Sequence, residues 1–555
     1  MFNYKSISNS VLRLILFMVM LISYVIYFIA LFTWCKGYYT YEDLFGPLSK
    51  GFIITLGLES FLILSLTYLL ITRNSGILKT WSLLIFVLLV SSIYILPDLA
   101  DLYYSQNFYD AGWHMTRGAF ITLTGHSDPG IDRYFDLQPA FFWFTAIFIN
   151  TAYGIPTSLS DPIFGFLVKW FHVIASMLYI PIVYMLFRRY GLIREEGFLA
   201  LSLFFILNFH RFHYAAQTYA NALYWFLLAI LPNIVNGDRK KLIVALPLLT
   251  ATVFVHEGVT VFMVITLLSS LATLLFSKRL GKSLLTTLTL FTYLLITWFL
   301  YLLYVSKFTF SDFINTLVTV VNKFLIEGVT EVVSTGLWRA WQPWADVVRF
   351  KVVYMAVTIL TIIALTMWLY RTTRDEIYRL RASIVLWISI FLGAVAAALG
   401  GFGYIERIPL LILPFTALTL TEAARLPKKY TVLKKTAVLL TLCLVIITPF
   451  PFFSGRNFQS ILISEDGAWD FLRNHTQSIA GLYPEIKVDS VFTPLLTNST
   501  PTHNTIYLLR QFDFIRTLYY CAGDITVLDD YIHKVKSTCN IIYYNPVAQL
   551  FQCRY

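Results

Sequence analysis

Charge is scarce in this chain. Asp, Glu, Lys and Arg make up 13% of its residues, about half the share usual in soluble domains. Cysteine is scarcer still: there are five, Cys35, Cys443, Cys521, Cys539 and Cys553, and none sits in a CxxC or other zinc-binding spacing. That excludes a disulfide framework and a structural zinc module. No internal repeat or low-complexity tract is present, which excludes a solenoid. The first apolar run, Val11 to Phe32, lacks a small-residue cleavage site and is too long for the core of a secretory leader, so it reads as a retained membrane span.

What abounds is apolar sequence. Hydrophobic residues make up 58% of the 555 positions, and the mean hydropathy is +0.69. Apolar runs of roughly 18 to 25 residues recur, the length a helix needs to cross a bilayer. The pattern predicts an α-helical polytopic membrane protein with 13 spans, over 11–33, 51–72, 79–96, 162–187, 195–210, 216–235, 240–255, 257–277, 283–305, 346–370, 382–399, 404–424 and 432–450. A further apolar segment, 139–157, is assigned by charge.

Basic residues gather in short loops: Arg73/Lys79, Arg188/Arg189/Arg194, Arg239/Lys240/Lys241, Lys278/Arg279/Lys282, Arg371/Arg374/Arg379/Arg381 and Arg425/Lys428/Lys429/Lys434/Lys435. Such clusters mark the cytoplasmic side. All fall on one side only if 139–157 does not cross, so that segment is read as a helix lying in the outer interface. The amino terminus is then cytoplasmic and the carboxyl terminus extracytoplasmic, in a multi-pass protein of the plasma membrane. The net charge of +11 orients the chain in its bilayer; it does not mark a nucleic-acid partner.

Two regions follow: a membrane-embedded 1–450 with outer loops 97–160 and 306–345, and a tail, 451–555, of ordinary soluble composition. In the tail "EDGAWDFLRNH" reads as a short helix, "KVDSVF" as a strand, "TVLDDYIHKVK" as a strand edge running into a helix, and "NIIYYN" with "AQLFQC" as a hairpin. A small α/β domain is expected. A tail facing an oxidising compartment can hold one disulfide, and the triplets beginning at Asn474 and Asn498 fit the glycosylation pattern.

The stretch "YDAGWHMTRG" sets Asp110, His114 and Arg117 at spacings of four and three, on one face of a helix. It lies in the loop 97–138, which holds six aspartates, Asp98, Asp101, Asp110, Asp128, Asp132 and Asp136, against Arg117 and Arg133, a balance of −4 (six minus two). "SDPG" around Asp128 is turn chemistry. Tyr109 and Trp113 flank Asp110 and can partly desolvate its carboxylate, raising its pKa toward that of a useful base, while Arg117 holds it ionised. On the predicted topology all nine histidines fall on the outer side, His256 among them at a helix end. Lys169, Arg211, Gln217, Glu257, Arg339, Glu406 and Arg407 join them. Taken singly, each of these reads equally as a snorkelling or capping residue; together they outline a polar cavity at the outer leaflet.

From Tyr109 to Pro156, "YDAGWHMTRGAFITLTGHSDPGIDRYFDLQPAFFWFTAIFINTAYGIP" resembles the first large outer loop of the GT-C membrane glycosyltransferases, the superfamily of protein O-mannosyltransferases and bacterial aminoarabinose transferases. Asp110 matches the family's acid, Gly118 or Gly125 its helix end, Pro139-Ala-Phe-Phe-Trp its proline–aromatic start and Tyr153-Gly154 its close. "GYIERIPLLILP" resembles a late helix whose arginine contacts the lipid phosphate, and "EDGAWDFLRNH" the start of a soluble carboxyl-terminal domain. The tryptophan-rich aspartate motif of oligosaccharyltransferases is absent, which disfavours transfer of a preassembled oligosaccharide.

The resemblance implies a donor of one sugar on a polyprenyl phosphate such as dolichyl phosphate, and an acceptor hydroxyl on a protein, lipid or glycan. Asp110 is the expected general base, with His114 orienting it or the acceptor. Arg407 is the first candidate to hold the donor phosphate, followed by Arg339, Arg211 and Lys169. Trp113, Arg117, Asp128, Asp132, His256, Glu257 and Trp338 are the expected cavity residues, although Trp338, Trp341 and Trp344 read equally as an interfacial aromatic belt. No metal ligand is assigned; a divalent cation, magnesium or manganese, would suit clustered aspartates, but the resemblance does not require one. Two other classes compete: a lipid or solute transporter or flippase, for which Glu59 is the clearest mid-span charge, and a lipid-linked glycan ligase or polymerase.

Overall fold

The computed structural model describes residues 4–34, 50–72, 78–99, 108–127, 138–156, 161–208, 215–278, 281–306, 375–398, 408–425 and 431–447, four strands between 487 and 553, and scattered single positions. The helices are α1 (Tyr4–Trp34), α2 (Lys50–Thr72), α3 (Leu78–Val90), α4 (Leu96–Leu99), α5 (Phe108–Thr124), α6 (Pro139–Ala152), α7 (Pro162–Arg189), α8 (Arg194–Leu207), α9 (Ala216–Val235), α10 (Leu242–Val255), α11 (Glu257–Phe276), α12 (Lys282–Tyr304), α13 (Glu376–Ala398), α14 (Ile408–Arg425) and α15 (Thr431–Ile447). Apart from α4 and α5 they lie over apolar runs read in the sequence; the expected span 346–370 is described only at scattered positions. By length and composition, four stretches among the described residues can cross a membrane: Val11–Phe32, Ala216–Val235, Glu257–Phe276 and Lys282–Tyr304. Pro162–Val168 with Val173–Arg189 makes a fifth if the bent pair is one span. The chain is a helical membrane protein.

The core is organised around α9. Trp225, Tyr224, Leu227, Leu228 and Leu231 are all fully buried, and a helix apolar on every side belongs at the centre of a bundle. Polar cross-links hold it there. The Tyr179 hydroxyl of α7 donates to the Thr218 carbonyl, Tyr224 pairs with Thr266 of α11 at 2.9 Å, and the Trp225 indole donates to the Leu411 carbonyl of α14 at 3.4 Å. Buried serines and threonines on α11 return their hydroxyls to the preceding turn, as Ser269, Ser270 and Thr273 do, so they enter the core without stranding a donor.

On α1 the division is opposite. Met20, Tyr27 and Leu31 are buried on the side facing α2, while Leu14, Ile22 and Ile26 are exposed. In a bilayer that exposed apolar stripe faces lipid.

Between α3 and α4 a π-helical turn, Ser91–Ile95, sends the Leu96 N–H to the Ser91 carbonyl. In that register the next donor is residue 97. It is a proline and has no N–H. The Tyr27 hydroxyl takes its place, donating to the Ser92 carbonyl at 2.8 Å. Tyr94, inside the same turn, donates to the carbonyls of Phe205 and Asn208, both at 3.0 Å, and ties the turn to the end of α8.

In the tail, β1 (Lys487–Ser490), β2 (Thr505–Arg510), β3 (Cys539–Asn545) and β4 (Ala548–Cys553) form one sheet in the order β1-β2-β4-β3. β1 runs parallel to β2, and the other neighbours are antiparallel. The hairpin expected from "NIIYYN" and "AQLFQC" is β3–β4, with a bulge between Ile541 and Tyr543. Its register sets Cys539 opposite Cys553; Cys521 lies outside the described residues. The tail helix "EDGAWDFLRNH" lies outside the described residues.

Candidate active site

The stretch that carries Asp110, His114 and Arg117 is helical, as its spacing predicts: all three lie on α5. The helix ends where glycine allows it. Gly125 has φ +73° and its N–H returns to the Ile121 carbonyl at 2.8 Å, a left-handed closure that costs other residues more. Of the two glycines offered as the helix end, Gly125 serves and Gly118 lies inside the helix.

α6 follows with Pro139 at its first position, where a missing N–H costs nothing. Its 14 residues span about 21 Å at 1.5 Å per residue, short of the roughly 30 Å of a hydrocarbon core. Phe141, Phe142, Thr145, Ala146 and Ile149 are buried, whereas Phe144, Phe148 and Ile147, the last 60% exposed, form an open apolar face. A short helix with one face on protein and an apolar face outward suits the lipid boundary. Gly154, at φ +105°, closes it by donating to the Ile149 carbonyl at 3.2 Å. Just beyond α6, Asp161 raises the Tyr153 pKa above its ordinary value, chiefly as an acceptor that favours the protonated phenol, with smaller contributions from desolvation and the carboxylate's charge. Asp161 also caps α7, accepting from the Ile163 N–H at 3.1 Å.

His114 and Arg117 are both 7% exposed. The imidazole meets Phe141 edge-on at 5.7 Å and lies tilted against Phe142 at 5.9 Å. Phe142 in turn packs on Phe135, which packs on Phe120 of α5. The α5–α6 pair is thereby a continuous aromatic layer with a histidine inside it. Burying the Arg117 guanidinium removes its water, a cost of several kcal/mol that its partners must offset. Tyr219, one turn into α9, meets Phe141 and Phe144 of α6 and Phe171 of α7 at 5.2–5.5 Å. Sequence reasoning passed over Tyr219; a tyrosine in the first turn of an apolar helix beside Gln217 was its signal.

The remaining expected residues divide cleanly. His256 lies at the α10–α11 junction as the N-cap of α11, its Nδ1 accepting from the Val259 N–H at 3.3 Å. In the neutral ring the proton is then on Nε2. Glu257 opens α11, where the helix dipole favours a carboxylate. Trp113 lies on α5 beside the opening triplet, and Lys169 lies on α7. Asp128, Asp132, Arg211, Arg339, Trp338 and Arg407 fall outside the described residues. Among the described residues no three His, Cys, Asp or Glu side chains gather to hold a metal ion.

No protein-family model, curated protein or solved structure matches this chain. The functional reading therefore rests on the residues themselves.

Proposed function

We propose that this chain is a membrane glycosyltransferase of the GT-C type, moving one sugar from a polyprenyl phosphate to an acceptor hydroxyl at the outer face of the membrane. The observation that carries this reading is the α5–α6 unit: a helix with Asp110, His114 and Arg117 at one-face spacing, its histidine and arginine buried against a short helix whose outer face is apolar. On this reading the protein crosses the membrane 13 times, with a cytoplasmic amino terminus, and the tail sheet belongs to an extracytoplasmic α/β domain.

Asp110 removes the acceptor hydroxyl proton as the oxygen attacks the anomeric carbon. The bond from that carbon to the phosphate oxygen breaks, the configuration inverts, and the lipid phosphate departs with the electron pair. Arg407, with Arg339, Arg211 and Lys169 as further candidates, neutralises the leaving phosphate. His114 and Arg117 hold the carboxylate in position and ionised. Acceptors are a protein, a lipid or a glycan.

The experiment is direct. Purified protein in lipid is given a polyprenyl phosphate carrying a radiolabelled sugar, and label should move to the acceptor fraction. Asp110→Asn should slow this by about 10²–10⁴-fold at unchanged expression; full activity in that variant removes Asp110 from the chemistry. If no lipid-linked sugar is bound or consumed, the transporter reading built on Glu59 takes over.

A further inference from the structure

At the other end of α7 from the α5–α6 unit, beside Arg188 and Arg189, lies a recess with a mostly apolar lining that includes several polar side chains. Its walls come from Tyr190 just past α7, Thr366 and Leu369, Arg381 and Tyr378 of α13, and Glu422 and Thr419 of α14. The inner part measures about 20 Å³ and opens outward, room for one or two oxygen-sized groups. Three of these lining residues carry a buried donor without a hydrogen-bond acceptor among the described residues: the hydroxyls of Tyr190 and Thr366 and the Nε–H of Arg381. Tyr190 is 2% exposed and Thr366 1%. Each unmet group costs about 1–3 kcal/mol, so three around one cavity are a strong sign of an absent acceptor. Gly191 shapes the approach: a Cβ there would come within 3.3 Å of the Arg381 Nη1, so the guanidinium lies across a position kept bare, at φ +108°.

Three unmet donors, one of them cationic, call for an oxyanion. Glu422, 7% exposed, adds a carboxylate to the same wall, and it repels a dianion such as free phosphate more strongly than a single negative charge. The recess is also at the basic end of the bundle, next to Arg188 and Arg189 of α7 and Arg379 of α13, a setting in which phospholipid headgroups bind. From these observations we infer that the recess between α7, α13 and α14 binds the phosphodiester of an anionic phospholipid, one non-bridging oxygen entering among Tyr190, Thr366 and Arg381 while the rest of the headgroup stays at the mouth. This site is separate from the α5–α6 unit and does not depend on the transferase reading.

The test is thermal unfolding of the full-length protein in detergent, titrated separately with phosphatidylglycerol, phosphatidylcholine and inorganic phosphate. Phosphatidylglycerol should raise the midpoint saturably, and phosphatidylcholine and inorganic phosphate should do so weakly or not at all. Arg381→Gln should weaken the apparent phosphatidylglycerol affinity about 10-fold or more, and Tyr190→Phe and Thr366→Val by about 3-fold each. The last two remove unmet hydroxyls, so in lipid-free detergent they should leave the midpoint unchanged or raise it. This keeps the test decisive even if Arg381→Gln fails to fold. Equal stabilisation by phosphatidylcholine, stabilisation by inorganic phosphate alone, or Tyr190→Phe and Thr366→Val titrating like the wild type would overturn the proposal; the last result would leave the recess to bound water.

Discussion

The Tyr27 hydroxyl donates to the Ser92 carbonyl across 2.8 Å, from a helix 65 residues earlier in the chain. It supplies the donor that Pro97 lacks, so a defect in one helix is repaired by another. Replacing Tyr27 with Phe leaves the ring and strands the carbonyl. We expect a loss of about 1 kcal/mol, seen as a lower thermal midpoint in detergent. An unchanged midpoint would mean that the π-helical turn supports itself.

His114 gives the sharpest separation of packing from chemistry. His114→Phe preserves a ring between Phe141 and Phe142 and should fold with a near-normal midpoint, yet transfer should fall by about 10-fold or more. His114→Ala should lose both stability and activity, since it opens a cavity in the aromatic layer. Full transfer by His114→Phe would reduce this histidine to a packing residue.

Asp161 accepts from the Ile163 N–H at the start of α7, and its carboxylate raises the pKa of Tyr153 at the end of α6. Asp161→Ala should cost about 1 kcal/mol, the usual worth of an N-cap. The same change should return the Tyr153 pKa toward the ordinary tyrosine value. The sign follows from the raised value: the folded state holds the phenol proton more tightly than the unfolded chain, so this contribution to stability is whole below about pH 10 and is lost as pH climbs through the folded value. Alkaline titration of labelled tyrosine by NMR, with Tyr153→Phe to assign the signal, measures it.

Two glycines close the helices of the site, and each can be tested alone. At Gly125 and Gly154 a Cβ would meet nothing within 4 Å, so Ala at either position pays only for its left-handed backbone, about 1–2 kcal/mol. Denaturation of Gly125→Ala and Gly154→Ala reads the cost, and a stabilised variant would show that the closure is not held in that conformation.

Much of this was visible in the sequence because membrane helices announce themselves by composition. The apolar runs located the helices, and spacings of four and three correctly put His114 and Arg117 on one buried face. Charge bookkeeping separated 139–157 from the spans; at 14 residues α6 is no shorter than α8 or α10, so the separation rests on charge and not on length. The Ser-Asp-Pro run at 160–162 was a legible helix start that went unread, although Asp161 caps α7 as that pattern predicts. Tyr27 and Tyr219 were illegible for a different reason. Their partners lie far along the chain, and no local pattern says which carbonyl a proline will strand or which rings will meet across three helices. His256, expected as a cavity residue, also has a local role that its spacing did not announce: its Nδ1 accepts from the Val259 N–H and caps α11.

On the proposed topology α6 has one more consequence. Its exposed residues pin it to the boundary between lipid and water, and its buried ones grip His114. The imidazole therefore rides at a draught fixed by a floating helix next to it, not by the length of the spans beneath. Moving the protein between bilayers about 27 and 33 Å thick would tilt the long helices. The helix that carries His114 would keep its waterline.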